Sequence, residues 1–255
     1  MCYDDKAQPP IPPGVNGKAH GEEIVLTAQD GNRFAAYIAQ PDQPATAQIL
    51  IYPDAYGLRQ FYKDLALRFA EVGIRALVLD YFGRTAGLAA RDESFEYMPH
   101  IQQIQISNFF LDVQAALDYL NAEQSTRVAT FTVGFCMGGA FSLQTGMQNF
   151  DLTGLIAFYA GLTGAFGGGK TVLEQADRIH YPVLGLFGEN DNIVSASAVH
   201  QLDEALDTAG VEHTIVIYPG ATHSFFDRLA ADYAEASEDA WKRILTFIAS
   251  HKATA

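Results

Sequence analysis

Short apolar, β-branched runs alternate along this chain with longer stretches in which apolar residues return every three or four positions. These are the signatures of buried strands and of amphipathic helices. Gln48-Ile49-Leu50-Ile51-Tyr52 predicts a buried strand, and Phe61, Leu65, Phe69 and Val72 predict a helix that Gly73 closes. Ile74 to Asp80 reads as the next strand, and Ile101, Ile104, Phe109, Val113, Ala116, Leu117 and Leu120 as the face of one long helix. Strands are expected over Arg127 to Val133, Gly154 to Ala160, Val183 to Gly188 and His213 to Tyr218. Val199, Leu202 and Leu206 lie on a helix that Gly210 stops. Leu229, Tyr233, Trp241, Ile244, Leu245 and Ile248 form a last amphipathic helix, with Asp227 or a neighbour as its cap. Ahead of this series, Glu22 to Thr27 and Arg33 to Ala39 flank Gln29-Asp30-Gly31-Asn32, a hairpin signal.

Alternation of this kind implies an α/β fold: a mostly parallel twisted sheet, right-handed crossovers and helices on both faces. The leading hairpin adds an antiparallel edge. Residues 1–20, with Pro9, Pro10, Pro12, Pro13 and Gly14, read as an extended, weakly ordered arm, and 21–255 as a single domain without internal repeats.

The formal charge of −14 excludes a nucleic-acid ligand and an anionic membrane surface as natural partners. It also means that an anionic substrate must be drawn in by a local cluster of Arg or Lys. Two cysteines, Cys2 and Cys136, make no disulfide framework, and no Cys/His spacing resembles a zinc site. The N-terminus has no apolar signal core and no apolar run approaches a membrane span. A cytoplasmic location, as a monomer or small homo-oligomer, is the simplest expectation.

In an open α/β sheet, ligands sit outside the carboxyl ends of the strands, so chemistry is sought in the loops there. Thr132-Val133-Gly134-Phe135-Cys136-Met137-Gly138-Gly139 is the most distinctive stretch. A strand turning sharply into a helix, with glycines two before and two after the central residue, is the recipe for a nucleophile elbow. Downstream, Ala140, Leu143 and Met147 are candidates for the helix's buried face. Cys136 would feel the positive end of that helix, which favours thiolate; alternatively it is a small buried apolar residue. Asp191, in Gly188-Glu189-Asn190-Asp191, follows another strand and can orient a histidine or cap the next helix, with Glu189 as its rival. His223, in Gly220-Ala221-Thr222-His223-Ser224-Phe225, follows the last strand as a base or as a plain surface histidine.

Cys136, Asp191 and His223 fall in the nucleophile–acid–base order of α/β-hydrolases. With these motifs, from about Glu22 to the final helix, the chain resembles the dienelactone hydrolase family, a cysteine-nucleophile branch of that fold. The resemblance implies hydrolysis of a small-molecule ester or lactone with Cys136 as nucleophile, His223 as base and acid, and Asp191 as its orienter. It implies no metal and no organic cofactor.

By position, the oxyanion-hole amides are those of Ala55, in the loop Tyr52 to Leu58, and Met137. Family members carry glutamate where this chain has Asp54, which is one methylene shorter. Their substrate carboxylate is held by arginines; one matches Arg84, and the other falls at Asp227, beside Arg228. Arg84 is therefore either an anion-binding group or a surface ion pair. Tyr81, Phe82, Tyr56, Tyr159 and Phe225 are candidate pocket walls, and Gly161 to Gly169 a candidate rim or lid. The displaced arginine leaves a broad-specificity carboxylesterase as the alternative. A non-catalytic binding or thiol redox relative is a third reading, which the Cys–Asp–His order disfavours.

Overall fold

The computed structural model describes residues 6–15, 17–122 and 128–252. In chain order the elements are β1 (Ala19–Thr27), β2 (Arg33–Pro41), β3 (Ala47–Tyr52), α1 (Gln60–Ala70), β4 (Ile74–Leu79) and the short turns α2 (Gly83–Ala86) and α3 (Met98–Ile101). They continue with α4 (Ile106–Ala122), β5 (Thr130–Phe135), α5 (Met137–Thr145), β6 (Gly154–Phe158), a 3-10 segment (Leu173–Arg178) and β7 (Val183–Gly188). The chain ends in α6 (Ala196–Ala209), β8 (His213–Tyr218) and α7 (Ala234–His251).

The strands form one sheet in the order β1-β2-β4-β3-β5-β6-β7-β8. β2 runs antiparallel to both β1 and β4, and all later pairings are parallel. The carboxyl ends of β3, β5, β7 and β8 therefore open on the same side, which is the condition for their loops to meet. Alternate side chains of the buried strands feed two cores. Phe61, Leu65 and Phe69 of α1 and Trp241, Ile244 and Ile248 of α7 cover one face, together with Phe131, Val133 and Phe135 of β5. Phe109, Val113 and Leu117 of α4, Phe141 and Leu143 of α5, and Val199, Leu202 and Leu206 of α6 cover the other.

Three of the expected elements need correction. The long helix expected from Ile101 is two pieces: α3 ends at Ile101 and α4 begins at Ile106, whose N–H donates to Gly167 O at 2.8 Å. The last helix begins only at Ala234, because Asp227 is not its cap. Instead the Asp227 carboxylate accepts the Tyr159 hydroxyl at 3.0 Å. β6 stops at Phe158, where the sequence suggested Ala160, since Tyr159 takes φ = 34° and leaves the extended region.

The proline-rich arm is also better anchored than expected over residues 6–15. Pro9 and Pro12 are buried, and the Trp241 indole donates to Pro10 O at 2.9 Å. Cys2 and Arg127 lie outside the described residues. Among the described residues no helix is long and apolar enough to cross a membrane.

Candidate active site

The turn from β5 into α5 is made by one residue in a backbone conformation that side chains rarely adopt: Cys136 has φ = 56° and ψ = −113°. The glycines around it are sterically required. A Cβ on Gly134 would sit 1.9 Å from Gly138 O, and one on Gly138 would sit 2.1 Å from Pro53 O. The strained turn is held on both sides of its peptide. Cys136 N–H donates to Phe158 O at 3.1 Å, and Cys136 C=O accepts from Gly161 N–H, also at 3.1 Å. Cys136 is half-buried and forms no disulfide among the described residues, at the positive end of α5.

Ala140, Leu143 and Met147 are buried as expected, and the other sides of α5 are buried as well. Two of its polar residues, Ser142 and Thr145, are satisfied internally. Ser142 Oγ bonds Thr132 Oγ1 at 2.7 Å and donates to Ile156 O at 3.0 Å; Thr145 Oγ1 donates to Phe141 O at 2.7 Å.

Asp191 and His223 meet. His223 Nδ1 lies 2.7 Å from Asp191 Oδ2, and the two residues are 6% and 9% exposed. Asp191 Oδ1 accepts the amides of Ile193 at 2.8 Å and Val194 at 3.0 Å, so the carboxylate is oriented from both oxygens. The helix-cap role open to Asp191 belongs instead to Ser195, whose Oγ accepts Ala198 N–H at 3.2 Å.

Glu189, the rival acid, has a different task. Its Oε2 accepts Gly220 N–H at 2.9 Å, while Glu189 N donates to Tyr218 O at 3.0 Å and Asn190 N to Ala221 O at 2.9 Å. These bonds zip the Asp191 loop to the His223 loop.

The loop after β3 is fixed just as firmly. Asp54 is fully buried; its Oδ1 accepts Tyr56 N–H at 2.9 Å, and its own N–H is accepted by the Tyr62 hydroxyl at 3.0 Å. Tyr81 OH donates to Pro53 O at 2.6 Å. Ala55 therefore stands between two residues whose amides are committed. A buried ion pair, Asp80 Oδ2 to Arg91 Nη2 at 2.8 Å, underlies the same loop, and Asp80 Oδ1 accepts Leu58 N–H at 3.3 Å. Burial pushes the Asp80 carboxyl up, against the pull of Arg91. It also pushes the Tyr62 and Tyr81 hydroxyls well above the usual tyrosine range, helped by the nearby charge of Asp54. Tyr62 was not singled out in the sequence; its only signal is a tyrosine on the buried face of the helix after this loop.

Several expected substrate-binding side chains point elsewhere. Arg84 places its guanidinium on Asp112 Oδ1 at 2.8 Å, on Asn108 O at 3.1 Å and on Asp30, which ties α2 to α4 and the hairpin turn. It is an ion pair here and not a free anion receptor. Tyr159 and Phe225 have no exposed surface and Tyr81 is 6% exposed, so none of them walls an open pocket. Each packs against neighbouring rings: Tyr159 lies 4.8 Å from the His223 ring and 5.6 Å from Phe225, and Tyr81 5.3 Å from Phe141, centroid to centroid. Phe82 is likewise buried, whereas Tyr56 keeps partial exposure and carries the Arg59 guanidinium over its ring at 4.7 Å.

The geometry has relatives. Residues 34–252 match the family model described as "Dienelactone hydrolase family". The chain belongs to the dienelactone hydrolase family. A carboxymethylenebutenolidase of Rhodococcus opacus is 28% identical over 262 residues, spanning 97% of this chain and 96% of that protein. A crystal structure of a dienelactone hydrolase-like promiscuous phosphotriesterase from metagenomic libraries superposes with a TM-score of 0.74 at 23% identity, covering 92% of this chain and 99% of that one. An esterase of Pyrococcus furiosus superposes at 0.71 with 15% identity, over 96% and 99% of the two chains. At such identity the two solved structures speak for the α/β-hydrolase fold alone. Family membership makes the chain a hydrolase of the dienelactone hydrolase kind.

Proposed function

We propose that the chain hydrolyses carboxylic esters or lactones through a Cys136–His223–Asp191 triad and a thioester intermediate. The observation that carries this reading is the short, buried bond from His223 Nδ1 to Asp191 at 2.7 Å, in loops that leave the same end of the sheet as an elbow that holds Cys136 at φ = 56°. With Nδ1–H donated to Asp191, Nε2 is the basic nitrogen. It takes the Cys136 proton as Sγ bonds to the substrate carbonyl carbon, and the carbonyl π pair moves onto oxygen. The amides of Ala55 and Met137 are the donors for that oxyanion, each worth ~2.7–4 kcal/mol in the transition state. Collapse re-forms the carbonyl and breaks the ester C–O bond, and His223 hands its proton to the departing oxygen. Water then loses a proton to His223, adds to the thioester and expels the thiolate, which recovers the proton.

Because thiolate itself leaves readily, activated leaving groups such as enolates and phenolates suit the site better than amines. Neutral rather than carboxylate-bearing substrates are the second reading. It is favoured by the commitment of Arg84 to Asp30 and Asp112, and by Asp227 where an arginine would serve an anion.

A panel of charged and neutral aryl esters and lactones tests both. The triad reading expects a stoichiometric burst of phenolate followed by slower turnover, abolished in Cys136→Ala. No hydrolysis across the panel with the thiol intact would overturn it. A strong preference for anionic substrates that Arg84→Ala removes would overturn the neutral-substrate reading.

A further inference from the structure

Tyr159 combines features that packing alone does not require. It has no exposed surface and yet adopts φ = 34°, a backbone conformation rare for an aromatic residue. Buried outliers of this kind persist where surrounding structure over-determines them, and they cluster at functional sites. Each side of Tyr159 is tied to a different part of the site. Its N–H donates to Leu186 O of β7 at 2.8 Å, the strand that leads to Asp191. The residue before it accepts the Cys136 amide, and the second residue after it donates to the Cys136 carbonyl, both at 3.1 Å. Its ring lies 4.8 Å from the His223 ring, tilted by 55°, and its hydroxyl donates to Asp227 Oδ2 at 3.0 Å, four residues beyond His223.

We propose that Tyr159 is the positioning residue that registers His223 against Cys136, with Asp227 as the anchor of its hydroxyl. The inference rests on the triad reading above. The loop from His223 to Asp227 passes through Ser224, at φ = 66°, and the buried Phe225 and Phe226. The Tyr159–Asp227 bond closes that loop. The Tyr159 ring braces the imidazole on the side its bond to Asp191 does not control. Small misplacements of a catalytic base carry large kinetic costs, so a brace of this kind acts on turnover and not on substrate affinity.

The test uses the full-length chain with Tyr159→Phe, Asp227→Ala, Asp227→Asn and the Tyr159→Phe/Asp227→Ala pair. Two quantities are read: kcat and KM on an aryl ester, and the rate of Cys136 alkylation by iodoacetamide at pH 7, followed on the Cys136 peptide by mass spectrometry. Tyr159→Phe and Asp227→Ala should each lower kcat about tenfold with KM within about twofold, and the double variant should be no worse than either alone. Asp227→Asn keeps an acceptor for the hydroxyl and should recover most of the loss. Alkylation should slow in parallel, because a displaced His223 stabilises less thiolate. Wild-type kcat and alkylation in Tyr159→Phe would overturn the inference, as would independent, multiplying effects of the two substitutions. The alkylation rate reads the Cys136–His223 relation even if no ester is hydrolysed. Loss of the triad reading and loss of this one therefore leave different marks.

Discussion

The loops after β7 and β8 and the segment after β4 all end on the same side of the sheet, yet their residues have opposite fates. Asp191 and His223 come together at 2.7 Å because parallel pairing places their loops side by side. Backbone bonds from Glu189 and Asn190 then zip one loop to the other. Arg84 follows β4 at the matching depth, but its long side chain turns to Asp30 and Asp112. Topology fixes where a loop lies; only competition among neighbours fixes where a flexible side chain goes. In a chain of net charge −14 with buried Asp112 close by, that competition favours the carboxylates.

The largest expected break lies within the zipped loops themselves. Asp191→Asn keeps the shape of the site but withdraws the charge that holds the imidazole, so kcat should fall by roughly 10²–10⁴-fold. Glu189→Gln, one turn of the same loop away, keeps an acceptor for Gly220 N–H and should cost less than about fivefold. Steady-state rates on one activated ester measure both. Equal losses in the two variants would mean that the loop as a whole, and not the Asp191 charge, sets activity.

A smaller effect is expected at the loop after β3, the proposed source of an oxyanion donor, where Tyr81 OH holds Pro53 O. Removing its hydroxyl in Tyr81→Phe releases Pro53 O, next to Asp54 and Ala55, while leaving the ring packed against Phe109 and Phe141. A looser donor weakens transition-state stabilisation more than binding, so kcat should drop about three- to tenfold at nearly constant KM. A rise in KM alone would return Tyr81 to a substrate-contact role.

What the sequence made legible follows the same division. The strand series, the leading hairpin and the elbow follow from periodicity and from glycines at fixed offsets, because those positions answer to backbone geometry. Asp191 and His223 are legible because each lies in the loop that follows a strand of the parallel series. The burial of Tyr159 and Phe225 was not legible, since an aromatic residue after a strand reads equally well as a wall or as core. Nor was the break at residues 102–105, where Gly167 O captures the start of α4 from a distance in sequence. The start of α7 was misplaced for a related reason: Asp227 is a good cap in isolation, and only the Tyr159 hydroxyl in space outbids that local preference.

The smallest effect on activity pairs with a clear effect on stability, at Arg84. Arg84→Met leaves the elbow and both zipped loops untouched, so kcat on a neutral ester should stay within about twofold. It strands Asp112, whose side chain is only 5% exposed, and loss of one partner from a largely buried pair should cost ~2–3 kcal/mol. The deficit should depend on pH in two windows. Burial already holds the Asp112 carboxyl above its ordinary range despite Arg84, and without the guanidinium it moves higher still. A carboxyl with a raised folded value binds a proton preferentially in the folded state, so the variant regains stability as pH falls through that value, well before the ordinary carboxylate range. Asp30 works with the other sign: Arg84 holds it below its ordinary value, and the stability it adds to the native chain is present above that ordinary value and disappears as pH falls through the lowered one. The gap between the two proteins in denaturant melts should therefore narrow first in mildly acidic buffer, through Asp112, and again in strong acid, through Asp30. A gap that stayed constant on acidification would show that the loss came from packing of the Arg84 stem and not from its charge.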